Sequence, residues 1–184
     1  MRIDPEGRLE GVRQHPSPNQ DERPEGCPVD LLVIHNISLP PNEFGGPWID
    51  NLFHNCLDPD THPYFRDICY LQVSAHILIR RTGEVIQYVP FSQRAWHAGI
   101  SCFRGREKCN DFSIGIELEG ADDITYTDEQ YESLGAVTKT LLEHYPTLSH
   151  EQIVGHSDIA PGRKTDPGDA FDWVRFKQLL AEEA

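Results

Sequence analysis

The chain has 184 residues, 38% hydrophobic and 25% charged, the proportions of one soluble globular domain long enough to bury its own core. Sixteen Lys and Arg against 30 Asp and Glu leave a formal charge of −14, which argues against a nucleic-acid backbone or an anionic membrane as the main partner. No apolar run approaches the roughly 20 residues that span a bilayer.

Residues 1–28 are polar, carry Pro5, Pro16, Pro18, Pro24 and Pro28, and show no lasting periodicity. They read as an irregular lead-in packed on a domain spanning residues 29–184. The first residues show neither the basic start nor the apolar stretch of a secretory signal. The five cysteines (Cys27, Cys56, Cys69, Cys102, Cys109) are odd in number and contain no C-x-x-C pair. A disulfide framework or four-cysteine zinc site is therefore not expected, and a reducing, cytoplasmic compartment is.

Leu31-Leu32-Val33-Ile34 is a short branched apolar run that suits a buried strand ended by His35-Asn36. Residues 40–47 are a Pro/Gly loop, residues 48–53 a short helix after Pro47, and residues 54–67 another loop. Ala75–Arg80 and Val85–Val89 read as a hairpin about a turn at 81–84. Residues 91–111 read as loop. Phe112–Glu119 alternates with period two, as a strand does. Thr127 is an N-cap with Gln130 as its capping-box partner, and apolar spacing then predicts a helix as far as Pro146. Residues 152–154 read as a short strand, 155–168 as loop and 171–180 as an amphipathic closing helix. The mixture predicts an α/β (α+β) single domain with a central mixed β-sheet flanked by helices.

Three positions carry chemistry. His35 stands at the end of a buried strand, where a rigid element can aim a side chain into a crevice. His156 and Asp166 bracket a segment stiffened by Pro161 and Pro167 and turned at Gly162 and Gly168, which can return both to one point. Two histidines and one carboxylate leave a fourth tetrahedral position open on zinc, the arrangement of a catalytic site. Spacing alone slightly favours a turn in which Asp166 caps the chain before Pro167 and His156 lies at the surface.

The motif His156-Ser157-Asp158-Ile159-Ala160-Pro161-Gly162-Arg163-Lys164-Thr165-Asp166-Pro167-Gly168 resembles the second metal-binding motif of the zinc N-acetylmuramoyl-L-alanine amidases of the type-2 family, and Val33-Ile34-His35-Asn36 resembles the first. The stretches 35–41, 43–48, Arg94-Ala95-Trp96-His97-Ala98-Gly99 and 110–120 are similar to the AmpD-type branch, the cytosolic 1,6-anhydro-N-acetylmuramyl-L-alanine amidases. The resemblance covers about residues 28–178. It implies Zn2+ bound by His35, His156 and Asp166, with Glu117 as catalytic base and Lys164 stabilising an oxyanion. Both Glu117 and Glu119 lie in the alternating strand; the resemblance selects Glu117. It also implies a substrate groove touched by Asn36, Tyr64, Trp96, His97 and Lys108. Lys108 and Gln72 stand where that branch commonly has arginine; lysine keeps the charge without the planar fork, and glutamine loses the charge. His76 reads as a core residue or a support for the metal site. The implied partner is a small muropeptide, cleaved between the lactyl group and L-alanine during peptidoglycan recycling, with an effect on β-lactamase induction in some hosts. No nucleic-acid or membrane partner is expected, and the chain is expected to be a monomer. The alternatives are a lytic cell-wall amidase and a non-catalytic muropeptide-binding module.

Overall fold

The computed structural model describes residues 1–181; positions 182–184 of the domain expected from the sequence lie outside the described residues. In chain order the strands and helices are β1 (Arg13–Gln14), β2 (Gln20–Glu22), β3 (Leu31–Ile37), α1 (Trp48–Phe53), β4 (Ile77–Ile79), β5 (Val85–Gln87), β6 (Gln93–Ala95), β7 (Cys102–Phe103), β8 (Arg106–Glu107), β9 (Ser113–Glu119), α2 (Asp128–His144), β10 (Ile153–Gly155), α3 (His156–Ile159) and α4 (Trp173–Ala181). Six strands form one sheet in the order β1-β5-β4-β9-β3-β10. The β4–β9, β9–β3 and β3–β10 pairs are parallel, whereas β4–β5 is antiparallel, so the sheet is mixed. The expected fold class is the one observed.

Strand β9 shows why the two faces differ. Ile114, Ile116 and Leu118 point to one side with Leu32 and Ile34 of β3, and pack beneath α2 and α4 against Leu134, Val137, Phe176 and Leu180. Burying each such side chain contributes roughly 1.5–3 kcal/mol. The alternate residues Ser113, Gly115, Glu117 and Glu119 face the other way, where no long helix covers the sheet. A second apolar cluster there joins Leu52 and Phe53 of α1 to Phe65, Leu78 and Tyr88, and a third sets Ala98, Cys109 and Ile159 over Leu31 and Val33.

The α2 capping box forms as the sequence predicts: the Thr127 N–H donates to Gln130 Oε1, and the Gln130 N–H donates to Thr127 Oγ1. Gln130 Nε2 also donates to the Ile79 and Glu119 carbonyls, so the cap pins the helix to the ends of β4 and β9.

Four expectations change. The strand that starts at Leu31 runs on through His35 to Ile37, because β9 goes on pairing with it, His35 to Glu117 and Ile37 to Glu119, after its apolar run ends. The lead-in carries two short strands: β1 extends the sheet along β5, and β2 pairs antiparallel with β6. The segment 91–111 holds β6 and the β7–β8 hairpin. The segment 155–168 begins with the single helical turn α3, whose Asp158 carboxylate accepts the Gly155 N–H. All five cysteines are free. Among the described residues, no helix is long and apolar enough to cross a membrane.

Candidate active site

The parallel strands β3, β9 and β10 deliver their carboxyl-terminal ends to one place. His35 and Glu117 are cross-strand partners on β3 and β9, and Gly155, partner of Ile34, ends β10 directly before His156. The loop after α3 then brings Asp166 back. His35 Nδ1, His156 Nδ1 and Asp166 Oδ2 converge, with separations of 3.0 Å between the two nitrogens, 3.1 Å from His35 to Asp166 and 3.0 Å from His156 to Asp166. All three groups are largely withdrawn from solvent.

Asn36 and Tyr126 hold that loop in place. The Asn36 side-chain amide donates to Asp122 Oδ1 and to the Pro167 carbonyl, which also accepts the Tyr126 hydroxyl. The loop at Asp166 is therefore held from β3 and from the segment before α2.

The donor set fits a metal ion. The described residues contain one buried His/His/carboxylate group able to hold one, and it is this group. Zinc with arms of about 2.0 Å would place tetrahedral ligands roughly 3.3 Å apart, close to the separations found. His156 Nε2 faces the Ala98 carbonyl at 3.1 Å, and a carbonyl only accepts. That nitrogen therefore carries the hydrogen, leaving the Nδ1 lone pair aimed into the cluster. Burial pushes the pKa of His35 down to about 4, keeping the imidazole neutral and available as a ligand. Burial also works against the Asp166 carboxylate, but the adjoining imidazoles of His156 and then His35 outweigh it and hold the group well below the usual carboxylate range.

Glu117 is the unusual member. Its Oε2 is buried with no hydrogen-bond partner. Burial, and then the neighbouring Asp166, push its pKa well above the ordinary value, while Lys164 pulls against them. A carboxylate with unspent acceptor capacity and raised proton affinity is suited to taking a proton from a bound molecule.

A cavity of about 320 Å³ opens onto these groups. Its polar end holds His35, His156, Asp166, Glu117 and Lys164; its other end is walled by Leu39, Leu52, Phe53, Ile68, Leu71 and Val73. Asn36, Tyr64, Trp96 and His97 also border it. Tyr64 is 39% exposed, leaving its ring open to a ligand. The Trp96 indole N–H is engaged by Asp21 Oδ1. Lys108 stands elsewhere: it borders a separate hollow of about 550 Å³ with Ile100, Ser101, Ala160 and Arg163. His76 is fully buried and accepts the Gly115 N–H at Nδ1, in line with a core role. Asn110, Ser113 and Gly115 also support the site but carried no signal by themselves, because their partners come from other segments.

A cavity at the carboxyl ends of parallel strands, with a metal-competent ligand set and an unpaired carboxylate, defines a hydrolytic class of centre. The family is specific: residues 25–169 match N-acetylmuramoyl-L-alanine amidase, and the chain belongs to that family. The chain is 60% identical over 178 residues, 97% of each sequence, to the 1,6-anhydro-N-acetylmuramyl-L-alanine amidase AmpD of Escherichia coli K12. It superposes on a crystal structure of a selenomethionine AmpD derivative with a TM-score of 0.95 and 59% identity, covering 98% of this chain and 99% of that one. It also resembles E. coli AmiD in complex with anhydro-N-acetylmuramic acid-L-Ala-D-gamma-Glu-L-Lys, at TM-score 0.61 and 28% identity, covering 88% of this chain and 65% of that one.

Proposed function

We propose that the chain hydrolyses the amide bond between the lactyl group of 1,6-anhydro-N-acetylmuramic acid and the L-alanine of a stem peptide, using zinc held by His35, His156 and Asp166. The observation that carries this reading is the convergence of His35 Nδ1, His156 Nδ1 and Asp166 Oδ2 within 3.0–3.1 Å beside the partnerless Glu117 carboxylate. The full-length similarity to AmpD supports the substrate. Zinc at this position supplies Lewis acidity toward an amide carbonyl and toward water.

Each remaining step belongs to a residue of the chain. Glu117 accepts the proton of the attacking water and returns it to the departing alanine nitrogen, which leaves as a neutral amine. The Lys164 ammonium, at the polar end of the cavity, offsets the negative charge that develops on the carbonyl oxygen. Tyr64 and Trp96 flank the sugar and peptide at the cavity rim, and the apolar end excludes water from the reacting bond. Lys108 borders a separate hollow outside this cavity, so no substrate contact is assigned to it. The reading extends to a cytoplasmic monomer acting on muropeptides recovered from wall turnover and thereby limiting β-lactamase inducers.

Incubation with anhydro-muramyl tripeptide, followed by mass spectrometry with and without a zinc chelator, tests the reaction. Release of free tripeptide that the chelator abolishes is the expected result. No release by zinc-loaded protein would overturn it. Light scattering tests the monomer, and muropeptide pools in a deletion strain test the recycling role.

A further inference from the structure

Both candidate metal-binding histidines present Nδ1 to the cluster, so both must dispose of a hydrogen on Nε2. Both Nε2 atoms end on adjacent residues of one loop. His35 Nε2 lies 2.9 Å from His97 Nδ1, and His156 Nε2 lies 3.1 Å from the Ala98 carbonyl. We infer that the His97–Ala98 dipeptide is the positioning element of the metal centre, fixing the tautomer and ring orientation of both histidines at once. This rests on the zinc reading above and assigns His97 a role behind the ligands, with its ring nitrogens turned away from substrate.

The dipeptide is itself held at both backbone N–H groups, at the Ala98 carbonyl and at both ring nitrogens of His97. Asn110 Oδ1 accepts the backbone N–H of His97 at 3.1 Å and of Ala98 at 2.8 Å, so one side chain anchors both residues. The Ala98 carbonyl also receives Arg163 Nη2 at 2.6 Å, from the loop that supplies Asp166. His97 Nε2 lies 2.9 Å from Ser113 Oγ, and a hydroxyl can accept there. This gives one consistent chain of donors: His35 Nε2–H to His97 Nδ1, then His97 Nε2–H to Ser113 Oγ.

Strand β9 is built to admit this ring. A Cβ at Gly115 would overlap the His97 imidazole, and the adjacent same-face position is the small Ser113. The inference therefore stands on two hydrogen-bond termini, an anchor shared between them and a strand surface cleared for the ring.

The test is zinc affinity, measured by competition with a chromophoric chelator, together with the visible spectrum of the cobalt-substituted protein. His97→Leu should weaken zinc binding about 10–100-fold and shift the cobalt bands. His97→Asn, whose Oδ1 can accept near the Nδ1 position, should recover most of the affinity and the spectrum. A role in packing alone would make the two variants behave alike, and that outcome overturns the inference. Asn110→Asp against Asn110→Leu repeats the comparison at the anchor: loss confined to leucine supports it, and equal affinities overturn it. Asp166→Ala is the control that must lose zinc. Wild-type protein that binds no zinc would overturn the metal reading itself, whereas normal zinc binding by His97→Leu overturns only the inference.

Discussion

Glu117 and Glu119 project from the same face of β9, and the fold gives them opposite electrostatic surroundings. Glu119 is filled: Oε1 accepts the Gly45 N–H at 2.6 Å and Arg80 Nη1 at 3.1 Å, and Oε2 accepts the Arg81 N–H at 3.1 Å. Glu117 is partnerless at Oε2 and opens onto the cavity. One carboxylate ties the loop at Gly45 and the turn after β4 to the sheet; the other is left free for a ligand.

Glu119→Ala should therefore cost stability. It strands Arg80, only 10% exposed, with Asp50 at 3.4 Å as its remaining carboxylate partner. Removing one member of a buried pair costs about 3–5 kcal/mol, and the Asp50 contact favours the lower end. For a domain of this size 3 kcal/mol is roughly a 6–12 °C fall in Tm. Calorimetry checks it, and a change under about 2 °C would show that the pair is not structural.

Glu117→Gln should do the reverse. The isosteric amide cannot accept the water proton, so kcat should drop about 10²–10⁴-fold. Zinc content should stay at the wild-type level, because Glu117 is not among the three converging groups able to hold a metal. Tm should hold or rise, since a buried charge without a partner is removed. Metal analysis and turnover measured on the same preparation separate this outcome from loss of the metal.

What could be read in the sequence follows how local the cause is. The α2 cap was legible because Thr127 and Gln130 answer each other within one turn. His35, His156 and Asp166 were legible as candidates because their motifs are long and specific, and the structure brings the three together. Strands β1 and β2 were not legible, because each is defined by a distant partner, β5 for one and β6 for the other. The internal engagement of His97 needed Ser113 and Gly115, which look like ordinary small residues of an alternating strand until its face is known. The displacement of Lys108 from the main cavity likewise depends on the β7–β8 hairpin, which carries no strong pattern of its own.

Zinc should stabilise the protein through binding to the folded state alone. At a free concentration 100 times Kd the gain is about 2.7 kcal/mol, or roughly 5–11 °C in Tm at this chain length. Asp166→Ala should abolish the zinc-dependent rise. Thermal scans of metal-free protein titrated with zinc check it, and a flat wild-type response would contradict the assigned ligands.

Acid should loosen the cavity rim before it unfolds the core. Asp21 on β2 faces Arg94 on β6, which donates Nε at 2.7 Å and Nη2 at 2.6 Å to its two oxygens while Nη1 reaches Asp111 at 2.7 Å. The hydrogen bond from Arg94 holds the Asp21 pKa below its ordinary 3.8, burial opposing and the Trp96 indole assisting. A depressed folded-state pKa means that the unfolded chain takes up the proton first as pH falls. The contribution is thus complete above about pH 4–5 and is lost as pH drops through the lower folded value. Asp21 is 42% exposed, so screening limits the effect to under about 1 kcal/mol. Trp96, hydrogen-bonded to the same carboxylate, should report the change. Between pH 5 and pH 3, wild-type tryptophan emission should shift before the far-ultraviolet circular dichroism does. Asp21→Asn, with no carboxyl to titrate, should show the two transitions together. Identical profiles for the two proteins would mean that the Asp21–Arg94 pair does not govern the rim.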